Sequence, residues 1–320
     1  MNGTYTIFRK ELADHFSSYR FIILFVMIAM ISLITAYMVG TSMKKELEGV
    51  AKPSLMFLML FTSTGALFSL VQFVAFFGPL IGLVLGFDSI NRERNQGTLS
   101  KLVSQPIYRD AVINGKFLAG VATIAIILTA IVLMITGMGL KLVGVVPGVE
   151  EVWRIFIYLV LSIVYVSFWL GVSILFSILF RSIATSALAA VAVWIFFSFF
   201  VSLGASILAD SIVPIDVSVG AAPETIARHS EIQKSISLVS PMALYTDATS
   251  TIIDPMRKTT RSLVLMGPME RISASRFQGP LPLMQSIYLV VPYITMMIAI
   301  TLVCFAISYM VFMKQEIRSV

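Results

Sequence analysis

Six stretches of the chain run on without a single charged or histidine side chain: Phe21–Thr41, Pro53–Phe87, Phe117–Leu140, Ile155–Phe180, Ser182–Ala209 and Gly279–Met313. A helix that crosses a hydrocarbon layer about 30 Å thick needs about 20 apolar residues, at about 1.5 Å of rise each. Each run therefore predicts one membrane span. The second and sixth runs are longer than a bilayer needs. Each is expected to open with a short interfacial piece, the span itself beginning near Thr64 and Gln285. Gly78-Pro79, inside the second run, predicts a kink, because proline removes a backbone hydrogen bond.

The polar segments between the runs have patterns of their own. Tyr5, Phe8, Leu12, Phe16 and Tyr19 recur at helical spacing, with Arg9, Lys10 and Asp14 on other faces. Residues 1–20 thus read as a helix lying in the membrane interface and feeding the first span. They are too polar for a signal peptide. Residues 210–285 form a long outer loop. In it Ile226, Ile232, Ile236 and Val239 fall near one helical face after Pro223-Glu224, and Pro241 ends that piece. A second helix, Met242–Ile253, is stopped by Pro255. These pieces are expected to rest on the outer membrane surface or cap a pathway, or else to form a packed lid. The fold class is an all-α membrane protein. It has six transmembrane helices, an N-terminal interfacial helix and a partly helical outer loop between helices five and six, in one transmembrane domain over residues 1–320.

Composition agrees: 58% of residues are hydrophobic and 12% charged, where soluble domains carry about 25% charged. So much apolar surface requires a lipid cover. Orientation follows from lysine and arginine in the connections. With the N-terminus inside, the inner segments hold eleven cations: Arg9, Lys10, Arg20, Arg92, Arg94, Lys101, Arg109, Lys116, Arg181, Lys314 and Arg318. The short outer connections hold five: Lys44, Lys45, Lys52, Lys141 and Arg154. Both termini are therefore expected in the cytoplasm. The net charge of +6 is a topology signal, and nucleic acid is not an expected partner.

Candidate chemistry is sparse. Ion-coupled carriers and intramembrane enzymes need ionisable groups at membrane depth, and the six runs hold none. No HExxH helix offers a zinc site, and the many serines and threonines lack an evident base. Cys304, alone, reads as a small core residue. His15 is expected to face headgroups and His229 to be solvated. Met242, Met256, Met266 and Met269 read as gap-filling residues, so no metal site is expected. Gly115-Lys116 resembles the end of a phosphate loop, but that motif needs a glycine where Asp110 stands and a hydroxyl where Phe117 stands. The chain is expected to be non-catalytic and to hold no cofactor. Any energy must enter through a separate subunit.

The polar connector between spans two and three, residues 88–116, is the natural place. Residues 91–116 read NRERNQGTLSKLVSQPIYRDAVINGK. Leu99, Leu102 and Val103 make a small apolar patch rimmed by Arg92, Glu93, Arg94 and Lys101, with Pro106 ending it. Such a patch is built for docking, though an ordinary positively charged loop has the same composition. The order Glu93, Gly97-Thr98-Leu99, Pro106-Ile107, Arg109, Gly115-Lys116 resembles the E-x-x-x-G-T-L … P-[IV]-x-R … G-K signature of type-2 permease subunits of ATP-binding-cassette transporters. Six spans, the long connection between spans five and six, and Ser240-Pro241 followed by Tyr245 fit the same family. The outer connection is longer than is common there.

The resemblance implies a coupling helix in this connector that seats in a groove of a cytoplasmic ATPase. Two permease subunits, identical or different, pair with two such ATPases, which hold the ATP and Mg. Carried over by position, Arg92, Glu93, Arg94, Gly97, Thr98, Leu99, Leu102, Pro106 and Arg109 form or flank the ATPase contact, and Lys116 anchors the next helix at the interface. The expected function is the membrane subunit of an ATP-driven exporter in the cytoplasmic membrane of a prokaryote. The rival reading is a membrane anchor or sensor for a regulatory ATPase.

Overall fold

The computed structural model describes residues 3–46, 55–62, 69–98, 108–144, 146–214, 223–256 and 280–314. Nine helices organise them: α1 Gly3–Ser17, α2 Tyr19–Glu46, α3 Leu70–Gly86, α4 Arg109–Val143, α5 Val149–Leu179, α6 Ile183–Ile212, α7 Pro223–Ser237, α8 Pro241–Ile253 and α9 Leu283–Lys314. Among the described residues there is no strand. Six helical segments, those built on α2, α3, α4, α5, α6 and α9, are long and apolar enough to cross a membrane. The sequence sets their ends by local chemistry. Ser69 and Gln72 close a reciprocal capping box at the start of α3, Ser182 caps α6, and Pro241 opens α8 where its missing N–H costs nothing.

Helix α5 is the hub, packed against α3, α4, α6, α8 and α9. Its contact with α3 is backbone-close. Gly78, Gly82 and Gly86 stand one turn apart, and a Cβ at Gly82 would lie 2.6 Å from the Val166 carbonyl oxygen and 2.8 Å from the Leu170 nitrogen. Gly86 faces Ser173 in the same way. In lipid, where apolar side chains gain nothing by leaving their surroundings, such small-residue seams drive helix pairing through dispersion and short polar bonds. Two such bonds cross this seam: Tyr165 donates to the Ala75 carbonyl at 2.7 Å and Ser173 to that of Leu83 at 2.8 Å.

Two expectations gain detail and one changes. The front of the second apolar run is a short separate piece ahead of the span. Met56, Phe57, Leu58, Leu60 and Phe61 are buried as a helical turn, with Leu60 against Gly139 of α4 and Phe61 edge-on to Tyr158. The membrane helix begins only at Leu70. Of the readings open for the helix after Pro241, α8 takes the packed one. Leu244, Tyr245, Ala248, Ile252 and Ile253 are buried, and it packs on α3, α5 and α9. His229 is not solvated: α7 folds back on α6 and sets its Nε2 2.8 Å from Asp210 Oδ1.

Candidate functional site

Helix α1 lies across the N-terminal part of α4. It can do so because Gly115 has no side chain: a Cβ there would meet Ile7 at 2.8 Å and the Thr4 carbonyl at 3.1 Å. The face of α1 buried in this contact carries Ile7 and Glu11. The aromatic stripe is turned elsewhere, with Tyr5, Phe16 and Tyr19 exposed. One helix thus separates an ionic face for the protein from an apolar face outside it, as a helix at a membrane interface needs.

The ionic face closes a ring. Lys116 Nζ lies 2.9 Å from Glu11 Oε1 and 3.0 Å from Glu93 Oε1. Lys10 Nζ lies 3.1 Å from Glu11 Oε1 and 3.5 Å from Glu93 Oε1. Cation and anion alternate around the ring, so each charge has two opposite neighbours. That arrangement is what buried charge requires, because an isolated ion out of water costs several kcal/mol. Burial alone would push the Glu11 carboxyl up, but Lys116 and Lys10 outweigh it and hold the group below its usual range. Burial likewise opposes the charge of Lys10, and Glu11, Glu93 and Asp14 outweigh it and raise its value. His15, a turn away, has no such compensation. Burial, with Lys116 nearby, lowers its value despite Glu11.

Through this ring the connector is held from two sides. Its first part folds into a short turn, Asn91–Asn95. Asn91 is fully buried, and the Ile90 and Asn91 N–H groups both donate to Ser177 Oγ of α5, at 2.9 and 3.1 Å. Asn95 donates to the Arg181 carbonyl at 3.3 Å, and Thr98 Oγ1 to the Glu93 carbonyl at 3.2 Å. The outward side shows Arg92, Asn95, Gln96, Gly97 and Thr98 to solvent, with Arg94 half-buried. Gly97 has φ +66°, which any side chain resists. Among the described residues nothing lies within 4 Å of where its Cβ would be. The turn is the reason for glycine that these residues show.

The remaining sequence-predicted residues fall as follows. Leu99, Leu102 and Pro106, with Lys101 and Val103, lie outside the described residues. Arg109 starts α4 and donates to the Met313 carbonyl at 3.5 Å, tying α4 to the end of α9. Lys116 is not an anchor reaching out to headgroups. Its side chain is 4% exposed, drawn inward by two carboxylates. Glu93, at 10%, belongs to the same interior ring and not to the exposed rim. Glu11 and Lys10 were missed as site residues; a glutamate at the buried i+4 position from Ile7, facing a lysine after Gly115, was the available signal.

A second buried charge stands at the opposite end of the bundle. Arg154 is completely buried. Its Nε and Nη2 donate to Glu150 Oε1 at 3.1 and 2.8 Å. Nη1 donates to the Ile252 carbonyl at 2.7 Å and to Ser286 Oγ at 3.2 Å, and Nη2 also to the Leu281 carbonyl. Next to it Glu151 accepts from the N–H groups of Phe57 at 2.8 Å and Gly148 at 2.7 Å. One arginine and one glutamate thereby fasten α5 to the turn at 56–62, the end of α8 and the start of α9. Below them, the Ser240…Tyr245 element is built into the bundle. Ser240 donates to the Phe197 carbonyl at 2.7 Å, Tyr245 Oη lies 2.8 Å from Ser162 Oγ, and its ring stacks on Tyr165.

These features define a multi-pass helical membrane protein whose charged side chains, among the described residues, stand near the ends of its spans. Residues 5–317 match the family described as ABC-2 family transporter protein. The chain belongs to that family, the permease subunits of ATP-binding-cassette transporters. A search of curated proteins finds no match.

Proposed function

We propose that this chain is the membrane subunit of an exporter driven by a separate cytoplasmic ATPase, which holds the ATP and Mg. In this reading two such permease subunits face two ATPases in a prokaryotic cytoplasmic membrane, with both termini inside. The connector receives the stroke. Its exposed stretch from Asn95 to Thr98 meets the ATPase, together with Leu99, Leu102 and Pro106 that follow, while Arg92 lines the cleft beside the start of α2. Its inner side hands the motion on.

The observation that carries this reading is the Glu93–Lys116 contact at 3.0 Å, inside a ring shared with α1. A connector that only turned a corner would need no buried ion pair to α4. A connector that must not slip under load does, because a ring of alternating charges resists displacement in every direction at once.

The test separates contact from transmission. Gln96→Trp and Thr98→Trp alter the exposed side and should abolish co-purification of the co-expressed ATPase. Glu93→Gln alters the inner side. It should leave the ATPase bound while lowering transport per ATP hydrolysed in liposomes. If both tryptophan variants retain the ATPase and transport as the parent does, the connector is not the contact.

A further inference from the structure

Beside the ring, α1, the start of α2 and the connector enclose a cleft of about 720 Å³. At its mouth Asp88 Oδ2 lies 3.0 Å from Arg20 Nη1 and 4.0 Å from Arg92 Nη1. The Asp88 side chain is 16% exposed, those of Arg20 and Arg92 63% and 60%. One sunken carboxylate therefore holds two outward guanidinium groups and cancels only one of their charges. Arg20 is further fixed over the Phe87 ring, 5.8 Å from its centroid. Each guanidinium has five donors, so a single carboxylate leaves most of them unused. The first turn of α2, the positive end of a 28-residue helix, lines the same cleft through Tyr19, Arg20 and Phe21.

From this geometry we infer that the cleft mouth binds the phosphodiester of an anionic membrane lipid, held between Arg20 and Arg92. Three observations select that chemistry. Arg20, hydrogen-bonded to Asp88, and Arg92, drawn towards the same carboxylate at 4.0 Å, offer the planar, two-bond recognition of phosphate oxygens that arginine favours. The mouth carries one uncancelled charge, while over the whole cleft Lys10, Arg20, Arg92 and Lys116 are matched by Glu11, Asp14, Asp88 and Glu93. A second negative charge would find no unmatched cation, so a diester fits and a monoester dianion or a polyphosphate does not. The mouth opens beside Tyr19, which is 83% exposed at the first turn of a membrane span. An amphipathic aromatic rim of this kind sits at headgroup level, where lipid supplies the diester and its chains supply the apolar contact. The inference does not depend on a partner ATPase.

Lipid binding to the purified full chain in detergent tests this, read as bound lipid by native mass spectrometry during titration. Dioctanoyl-phosphatidylglycerol should bind at one molecule per chain. Dioctanoyl-phosphatidylcholine, whose choline masks the charge, should bind more weakly, and inorganic phosphate should not compete at millimolar concentration. Arg20→Gln and Arg92→Gln should each weaken phosphatidylglycerol by about tenfold, and Arg92→Lys by less, because charge remains but the fork is lost. Arg228→Gln, exposed on α7, should bind as the parent does. Unchanged affinity in both glutamine variants would overturn the site. Effective competition by inorganic phosphate would overturn the lipid assignment, and equal binding of phosphatidylcholine the charge assignment. Both of these arms use the parent protein, so they stand even if a variant fails to fold.

Discussion

The two ends of this bundle bury charge in opposite ways. At the ATPase-facing end of the proposed arrangement, four ionised side chains from three chain segments neutralise one another. At the other end, one guanidinium is met largely by neutral groups: two backbone carbonyls and a hydroxyl, with Glu150 as its single ionic partner. A ring of titratable groups is adjustable, because protonation or a nearby charge alters every contact in it. A guanidinium fixed by carbonyls is not, since neither side titrates in any ordinary range. The end with the ionic ring is built to respond and the end with Arg154 to hold.

The comparison is tested most severely at Arg154. Arg154→Met should cost about 3–5 kcal/mol, the scale for breaking a buried charged network, because it strands the Ile252 and Leu281 carbonyls. The readout is a fall in unfolding midpoint in detergent, with the start of α9 freed to proteolysis. Next in size is the ring. Lys116→Met leaves Glu11 and Glu93 sharing only the half-exposed Lys10 and should cost about 3 kcal/mol. Glu93→Gln should cost about 1–2 kcal/mol. Adding Glu11→Gln and Glu93→Gln to Lys116→Met should recover much of the loss, a non-additivity that a merely volumetric effect would not give.

Acid should distinguish the ends with a smaller effect. His15 has its value lowered from an ordinary 6.5 in the folded protein, so its contribution is complete above about 6.5 and is lost as pH falls towards the folded value. Glu11 is lowered from 4.5, and its contribution is complete above about 4.5 and lost on further acidification. Lys10 is raised from 10.5, so its contribution persists below about 10.5 and disappears as pH rises through the folded value. Amide exchange, corrected for intrinsic rate, should therefore show α1 losing protection between pH 7.5 and 5.5 while α8 keeps its own. Equal loss in both helices would erase the distinction. The smallest effect is at Gly97. Gly97→Ala should cost about 1 kcal/mol through its positive φ, and Gly97→Asn less. Both would be read as shifts in unfolding midpoint.

The spans were legible because lipid demands uninterrupted apolar length, and no local detail can hide that. Their ends were not. Bounding each run by its first charge placed Lys116 and Arg154 in loops, yet α4 starts at Arg109 and α5 at Val149. A charge ends a hydropathy run but does not end a helix whose next turns can pair it. Apart from Glu150, one turn before Arg154, the partners of both residues lie well away in sequence, so no local pattern announces them. The glycines at 78, 82 and 86 were visible as a spacing, but their meaning depended on which helix came to lie against them. In the connector, the order of the motif residues was readable, but the left-handed conformation of Gly97 was seen only in the structure. That Glu93 points inward was not, because its direction is set by Lys10 and Lys116 across two other helices.

Arg154 also imposes an order on the making of the protein. Glu150, one helical turn away, is present as soon as α5 is complete. The Ile252 carbonyl follows only 98 residues later, and Ser286 only 132 residues later. At about 5–20 residues per second of synthesis, this guanidinium waits on the order of ten seconds for the groups that will enclose it. During that interval it must stay hydrated at the membrane edge, which stops α5 from sliding inward. When the last span enters, the same residue draws that span's outer end into place. A half-made chain therefore carries its own position marker, and the marker disappears from solvent only when the final helix has arrived.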